Sequence, residues 1–194
     1  MIPQTIHAMP SLVVLSALQK YVRLADEENA MLCACELIHT SKNFFTMVCN
    51  RLEIISHEDI DTQARPDVVP FVYTAVQQAK ALWDPQKPGR ARMPLGNAIR
   101  LMCRAAKSRE GDHFQAVCGL GNLLEKRLPT IPDSAYDKHT PKGKQMGRGF
   151  DHFRKEGAKL VNYGSFLPVT EDRYADECYR LWALKEKLER EGEP

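Results

Sequence analysis

Phe45, Val48, Cys49, Leu52 and Ile55 recur at offsets of 3, 4, 7 and 10 residues within the stretch Phe44 to Ile60. At 3.6 residues per turn that spacing places all five on one helical face, and Arg51 and Glu53 fall off it. So clean a stripe has to be buried, and the rest of the chain reads as helices packed against it. Thr40 and Ser41 precede the stripe as N-cap candidates, with a hydroxyl to accept from the unpaired first-turn amides. The charged run Ser56-His57-Glu58-Asp59 follows, and the chain turns before Pro66.

The flanking segments repeat the pattern. Ser11 is a cap candidate for a first helix to about Leu24, carrying Leu12, Leu15, Leu18 and Val22 close to one face. Asp26 caps a second, to about His39, with Glu27 and Glu28 at the positive end of its dipole and Ala30, Ala34, Leu37 and Ile38 as its stripe. Arg65-Pro66-Asp67 signals the start of a helix bearing Val68, Val72, Ala75, Val76, Ala79, Leu82 and Trp83, with Pro70 in its first turn. A loop, Asp84 to Gly89, separates it from a helix opened by Pro94 and bearing Leu95, Ala98, Ile99, Met102 and Ala106. Asp112 is placed to cap a further helix with Phe114, Val117, Cys118, Gly121 and Leu124, whose Gly119 and Gly121 suggest close approach of a neighbouring helix.

Beyond Leu128 the texture changes. Pro129, Pro132, Pro141, Gly143, Gly147 and Gly149 punctuate a segment rich in Lys and Arg. Thr140-Pro141 forms a cap and first-turn pair, and Asp151 to Leu160 reads as helical. Tyr163 to Val169 reads as loop, and Thr170 caps a final helix carrying Tyr174, Cys178, Leu181 and Leu188. No strand alternation of useful length occurs. The expected fold is therefore all-α, with a helical core over 1–128 and a basic Gly/Pro-rich segment with a terminal helix over 129–194.

With 194 residues, 43% of them hydrophobic and 27% charged, the chain can bury a substantial core. A formal charge of +2 makes no case for nucleic-acid binding, which would need a local basic footprint. The cysteines Cys33, Cys35, Cys49, Cys103, Cys118 and Cys178 lie mostly within apolar stripes and form no pair of close pairs, so they read as reduced core thiols. The N-terminus lacks a basic region followed by an apolar run, and no stretch approaches the ~18 apolar residues of a membrane span. The expectation is a cytoplasmic protein with no membrane partner.

Chemistry-bearing patterns are sparse. No segment fits the phosphate-binding loop G-x-x-x-x-G-K-[ST], and Gly119-Leu120-Gly121 lacks the third glycine of a dinucleotide fingerprint. No catalytic set, metal ligand set or cofactor is expected. His57-Glu58-Asp59 resembles the adjacent His and Asp of metal-dependent phosphohydrolases, with a Glu intervening, and keeps a small hydrolase open as an alternative. The strongest candidate is basic: Lys138, Lys142, Lys144 and Arg148 for phosphates, with Phe150 to stack on an unpaired base.

Read together, these pieces resemble the C-terminal region of the replication-associated recombination (MgsA/RarA) family of clamp-loader-like AAA ATPases. Ser16-Ala17-Leu18-Gln19-Lys20 with Asp26 to Leu37 is similar to the family's S-A-[LF]-x-K and D-x-[DN]-A-A-L segment. Phe45 to Ile60, ending in Glu58-Asp59-Ile60, is similar to its F-x-x-R-R-L stretch closed by E-D-I, with Asp61 in place of the usual Gly. Gly89 to Ser108 resembles the helix closed by A-P-K-S-N, with Ala106 and Arg109 where the family has Pro and Asn. Ile131-Pro132, Thr140, Lys144 and Gly147-Arg148-Gly149-Phe150 resemble its V-P, T-K and G-K-G-Y ending.

The resemblance implies a helical domain like the clamp-loader collar, a homo-oligomer that is tetrameric in the family, and a role at single-stranded or forked DNA in replication, recombination or repair. The sequence carries no ATPase module, so a non-catalytic binding function is expected. A structural adaptor for a separate ATPase is a further alternative.

Overall fold

The computed structural model describes residues 3–160 together with Lys187 and Arg190. The fold is all-α; among the described residues extended pairing is limited to two isolated bridges, Gln4 with Pro10 and Ile60 with Lys107. The chain divides into two compact units, Met1–Arg127 and Leu128–Pro194.

The first unit holds α1 (Ser11–Arg23), α2 (Glu27–Thr40), α3 (Lys42–Glu58), α4 (Val68–Ala81), α5 (Gly89–Arg104) and α6 (Glu110–Glu125). Helix α3 is its axis and touches each of the other five. Its stripe residues Phe45, Val48, Cys49, Leu52 and Ile55 are all buried, and the Phe45 ring stacks on Trp83 at 4.2 Å. Helices α1 and α2 pack together, as do α4 and α5, and α5 also reaches both α1 and α2. Burying a side chain of this size contributes about 1.5–3 kcal/mol, so the stripe dominates local helix propensity.

The helix ends follow side-chain chemistry. Ser41 accepts from the Phe44 amide at 3.3 Å and Asp26 from the Asn29 amide at 3.0 Å, as N-caps do. Ala25, at φ 59, closes α1, with the Asp26 amide reaching the Tyr21 carbonyl and the Ala25 amide the Val22 carbonyl. Lys107 closes α5: its ammonium donates to the carbonyls of Met102, Cys103 and Ala105 at 2.7, 2.9 and 2.8 Å, and burial holds its pKa below the usual lysine value. Residues 3–10 are tied down by α2, where Glu36 takes hydrogen bonds from the Thr5 hydroxyl and the His7 amide and pairs with the His7 ring.

Three expectations need correction. Ser11 is not a cap; Pro10 holds that position, and the Ser11 hydroxyl is buried without a hydrogen-bond partner. Helix α5 does not begin at Pro94 but at Gly89, because the preceding turn buries Ala91 and ties Arg92 to His39. Asp112 is not the α6 cap either. That helix starts at Glu110, whose amide is taken by the Ser108 hydroxyl at 3.1 Å.

The second unit contains a 3-10 turn at Asp133–Ala135, helix α7 (Pro141–Gln145), and helix α8 (Phe150–His152) running into one π-helical turn at Phe153–Gly157. The expected loop at Tyr163 to Val169 and the helix from Thr170 with Tyr174, Cys178, Leu181 and Leu188 lie outside the described residues, of which Lys187 and Arg190 alone in that region are placed, both helical.

Candidate functional site

The basic segment is built around a glycine. Thr140 caps α7 by accepting from the Gly143 amide at 3.0 Å, with Pro141 at the first helical position. Gly143 then passes so close to Asp137 that a Cβ there would stand 1.9 Å from the Asp137 carbonyl oxygen. Gly147, at φ 70, ends the helix, with the Arg148 amide donating to Gly143 and the Gly147 amide to Lys144. A positive φ at that step is what this pair of hydrogen bonds requires, and glycine adopts it without steric cost.

That frame sorts the five candidate residues into two groups. Arg148 turns inward: its guanidinium donates to the carbonyls of Asp133 and Tyr136 at 2.7 and 3.0 Å and pairs with the Asp133 carboxylate at 2.7 Å, which holds the Asp133 pKa below the usual range. The Lys138 ammonium sits 4.7 Å from the Phe150 ring centroid and 5.8 Å from that of Phe153. Lys142 and Lys144 are exposed on α7. The structure therefore gathers Lys138, Arg148 and Phe150 into the frame of the unit and leaves Lys142 and Lys144 turned to solvent.

In the first unit, Glu58-Asp59 meets the α5–α6 connection. The Ser108 amide donates to the Asp59 carbonyl at 3.2 Å and the Asp61 amide to Ala106 at 2.9 Å, so two segments that are distant in sequence share one junction. The Asp59 side chain is 1% exposed and accepts from Arg23 Nε at 2.7 Å and Gln19 Nε2 at 2.8 Å. Glu58 accepts from Gln19 at 2.7 Å and from Arg23 and Arg109 at 3.3 Å each. Arg51 orients the Gln19 amide through its oxygen at 2.9 Å, and Arg109 also bonds Asp112 at 2.5 Å.

Two arginines, Arg23 and Arg109, and a glutamine thus converge on two carboxylates, with Arg51 holding the glutamine. His57 is exposed, and among the described residues no group of three or more His, Cys, Asp or Glu side chains is arranged to hold a metal ion. Carboxylates already neutralised by guanidinium groups are poor ligands for a divalent cation, so the junction reads as a structural clasp. An open groove of about 710 Å3 beside it runs between α3 and α6, lined by Asn50, Glu53, Ile54, His57, Asp112 and Gln115.

Helix α6 is the feature that the sequence reading misplaced. Its apolar residues form no core: Phe114, Val117, Leu120 and Leu124 are 68%, 59%, 54% and 71% exposed, and Gly121 is its one buried residue. Gly119 meets nothing within 4 Å and Gly121 is covered by the side chain of Arg127, so among the described residues neither glycine receives a neighbouring helix. Cys118 is likewise exposed, whereas Cys49 and Cys103 are buried core thiols pushed up to about 11 by desolvation. Cys178 lies outside the described residues.

Periodicity finds such a stripe but does not say what covers it. The sequence signal that separates α6 from the core helices is its interior Gly119 and Gly121, each costing about 1 kcal/mol of helix propensity with no helix packed on them among the described residues. An isolated helix of this length is marginal in water even for favourable sequences. Comparison of the sequence with protein-family models and with curated proteins finds no match.

Proposed function

We propose that this chain is a non-catalytic self-assembly and nucleic-acid-binding module, of the kind that the clamp-loader collar represents, serving DNA replication, recombination or repair. The observation that carries the reading is the apolar face of α6, exposed along its length on a helix that has too little packing of its own. A homo-oligomer accords with the resemblance, whose family forms tetramers. Lys142 and Lys144, exposed on a capped turn whose glycines are fixed by geometry, supply the cations for phosphate contact.

Light scattering of the purified chain, with and without single-stranded DNA at two salt concentrations, tests the proposal. A stable oligomer that holds DNA at low salt and releases it at high salt is the expected result. A monomer indifferent to DNA at every concentration overturns it.

A further inference from the structure

The heptad positions of α6 can be read on the helix as it stands. Phe114, Val117, Gly121 and Leu124 follow one another at steps of 3, 4 and 3 residues, the seam spacing of two helices wound together. All but Gly121 are exposed, and the nearest atoms over Gly121 belong to the Arg127 side chain. The ends of the helix carry opposite charge: Glu110 and Asp112 lie in its first turn, and Lys126 and Arg127 follow its last residue. Asp112 is paired with Arg109 at one end and Arg127 with the last helical residue, Glu125, at the other, so the opposite end charges that remain are those of Glu110 and Lys126.

We propose that α6 pairs antiparallel with α6 of a second copy of this chain about a two-fold axis. This rests on the self-assembly reading above and names its interface. In an antiparallel pair the layers are Phe114 against Leu124 and Val117 against Gly121 of the second copy. The larger side chain of each protomer then fills the space that a missing Cβ leaves in the other. Arg127 swings off Gly121 to make room. Leu120 of the two copies meet at the axis on one flank and Cys118 on the other, so both flanks of the seam are self-complementary, as a two-fold interface requires.

Orientation follows from charge. Antiparallel pairing sets the acidic first turn of each helix against the basic end of its partner and opposes the two helix dipoles. A parallel pair stacks acid on acid and base on base. The occupant is therefore a second copy rather than an unrelated apolar helix, because seam sizes and end charges are each complementary to their own reversal.

Crosslinking tests the pairing on the full chain in a Cys118→Ser background. His113→Cys and Arg127→Cys copies are prepared separately, then mixed and treated with a short bismaleimide. Residues 113 and 127 of opposite copies flank the same layer in an antiparallel pair, whereas 113 and 113 lie about 21 Å apart. The mixture is expected to give a covalent dimer and each copy alone is not. A dimer from His113→Cys alone, or none from the mixture while scattering still shows an oligomer, overturns the antiparallel seam and leaves self-assembly standing. Phe114→Glu with Leu124→Glu is expected to raise the dissociation constant at least about tenfold with unchanged α1–α5 chemical shifts. An oligomer that tolerates both glutamates places the interface elsewhere and overturns the seam; a wild-type chain that is monomeric throughout overturns both readings.

Discussion

Arg23 Nε donates to Asp59 Oδ1 at 2.7 Å, joining the end of α1 to the end of α3 across a carboxylate that is 1% exposed. A buried charge of this kind is costly once its partner goes, more so than the pair itself is stabilising. Arg23→Met is therefore expected to destabilise the fold by about 2–4 kcal/mol, and Asp59→Ala by a similar amount through the stranded Arg23 and Gln19 groups. The two share one network, so the double variant should cost clearly less than the sum, with a coupling above about 1 kcal/mol. Urea unfolding of the four chains checks this; additive losses would mean that the junction is not one unit.

Acid should loosen the N-terminal loop before the core. Hydrogen bonds from Thr5 and His7 hold the Glu36 carboxyl down to about 2, from a usual 4.5. A folded pKa below the unfolded one stabilises above the unfolded value, and the gain is lost as pH falls from about 4.5 towards 2. His39 adds to the same trend from higher pH. Burial and Arg92 hold its pKa below 6.5, so the unfolded chain gains the proton first as pH drops through that value. Glu36→Gln should reduce the loss of stability between pH 4.5 and 2 and deepen the His39 step below 6.5, since the Glu36 charge opposes the lowering of the His39 pKa. Denaturant midpoints across that range decide it.

Ala25 holds a left-handed conformation, φ 59, at the close of α1, a position where glycine carries no steric penalty. Ala25→Gly is expected to stabilise the first unit by up to about 1 kcal/mol, against the usual cost of adding glycine. A lower unfolding midpoint for that variant would show that the backbone there is not under strain.

The core helices were legible because their stripes bury what they present. The five α3 residues, the four of α2 and the Val68 to Ala79 run are buried as their spacing requires. Asp26 and Ser41 cap as their side chains allow, whereas Ser11 does not, since its backbone is already inside the helix. Pro94 misled because a proline one turn into a helix removes a single amide, a loss that burial of Ala91 outweighs. The Arg23, Glu58, Asp59 and Arg109 clasp was invisible, since nothing in spacing says that residues from three segments converge. Nor does a helical stripe reveal whether its cover is within the chain, which is why α6 was read as core.

Within the basic segment, framework and contact residues should separate experimentally. Gly143→Ala drives a methyl group into the Asp137 backbone and Arg148→Ala removes the bonds to Asp133 and Tyr136, so both should disorder residues 133–157. Limited proteolysis of that stretch would report it. Lys142→Ala and Lys144→Ala touch no such bond and should leave protease resistance unchanged. If the two lysines contact phosphates of single-stranded DNA, their joint loss should reduce the slope of log affinity against log salt by about 1.4, at ~0.7 per phosphate. An unchanged slope with affinity intact would remove α7 from the binding surface, whereas a Gly143→Ala variant that loses both DNA capture and protease resistance would show only that the frame is needed. The discriminating result is therefore the lysine pair, because it alone alters charge while the Thr140 cap, the Gly147 turn and the Arg148 anchor all stay in place.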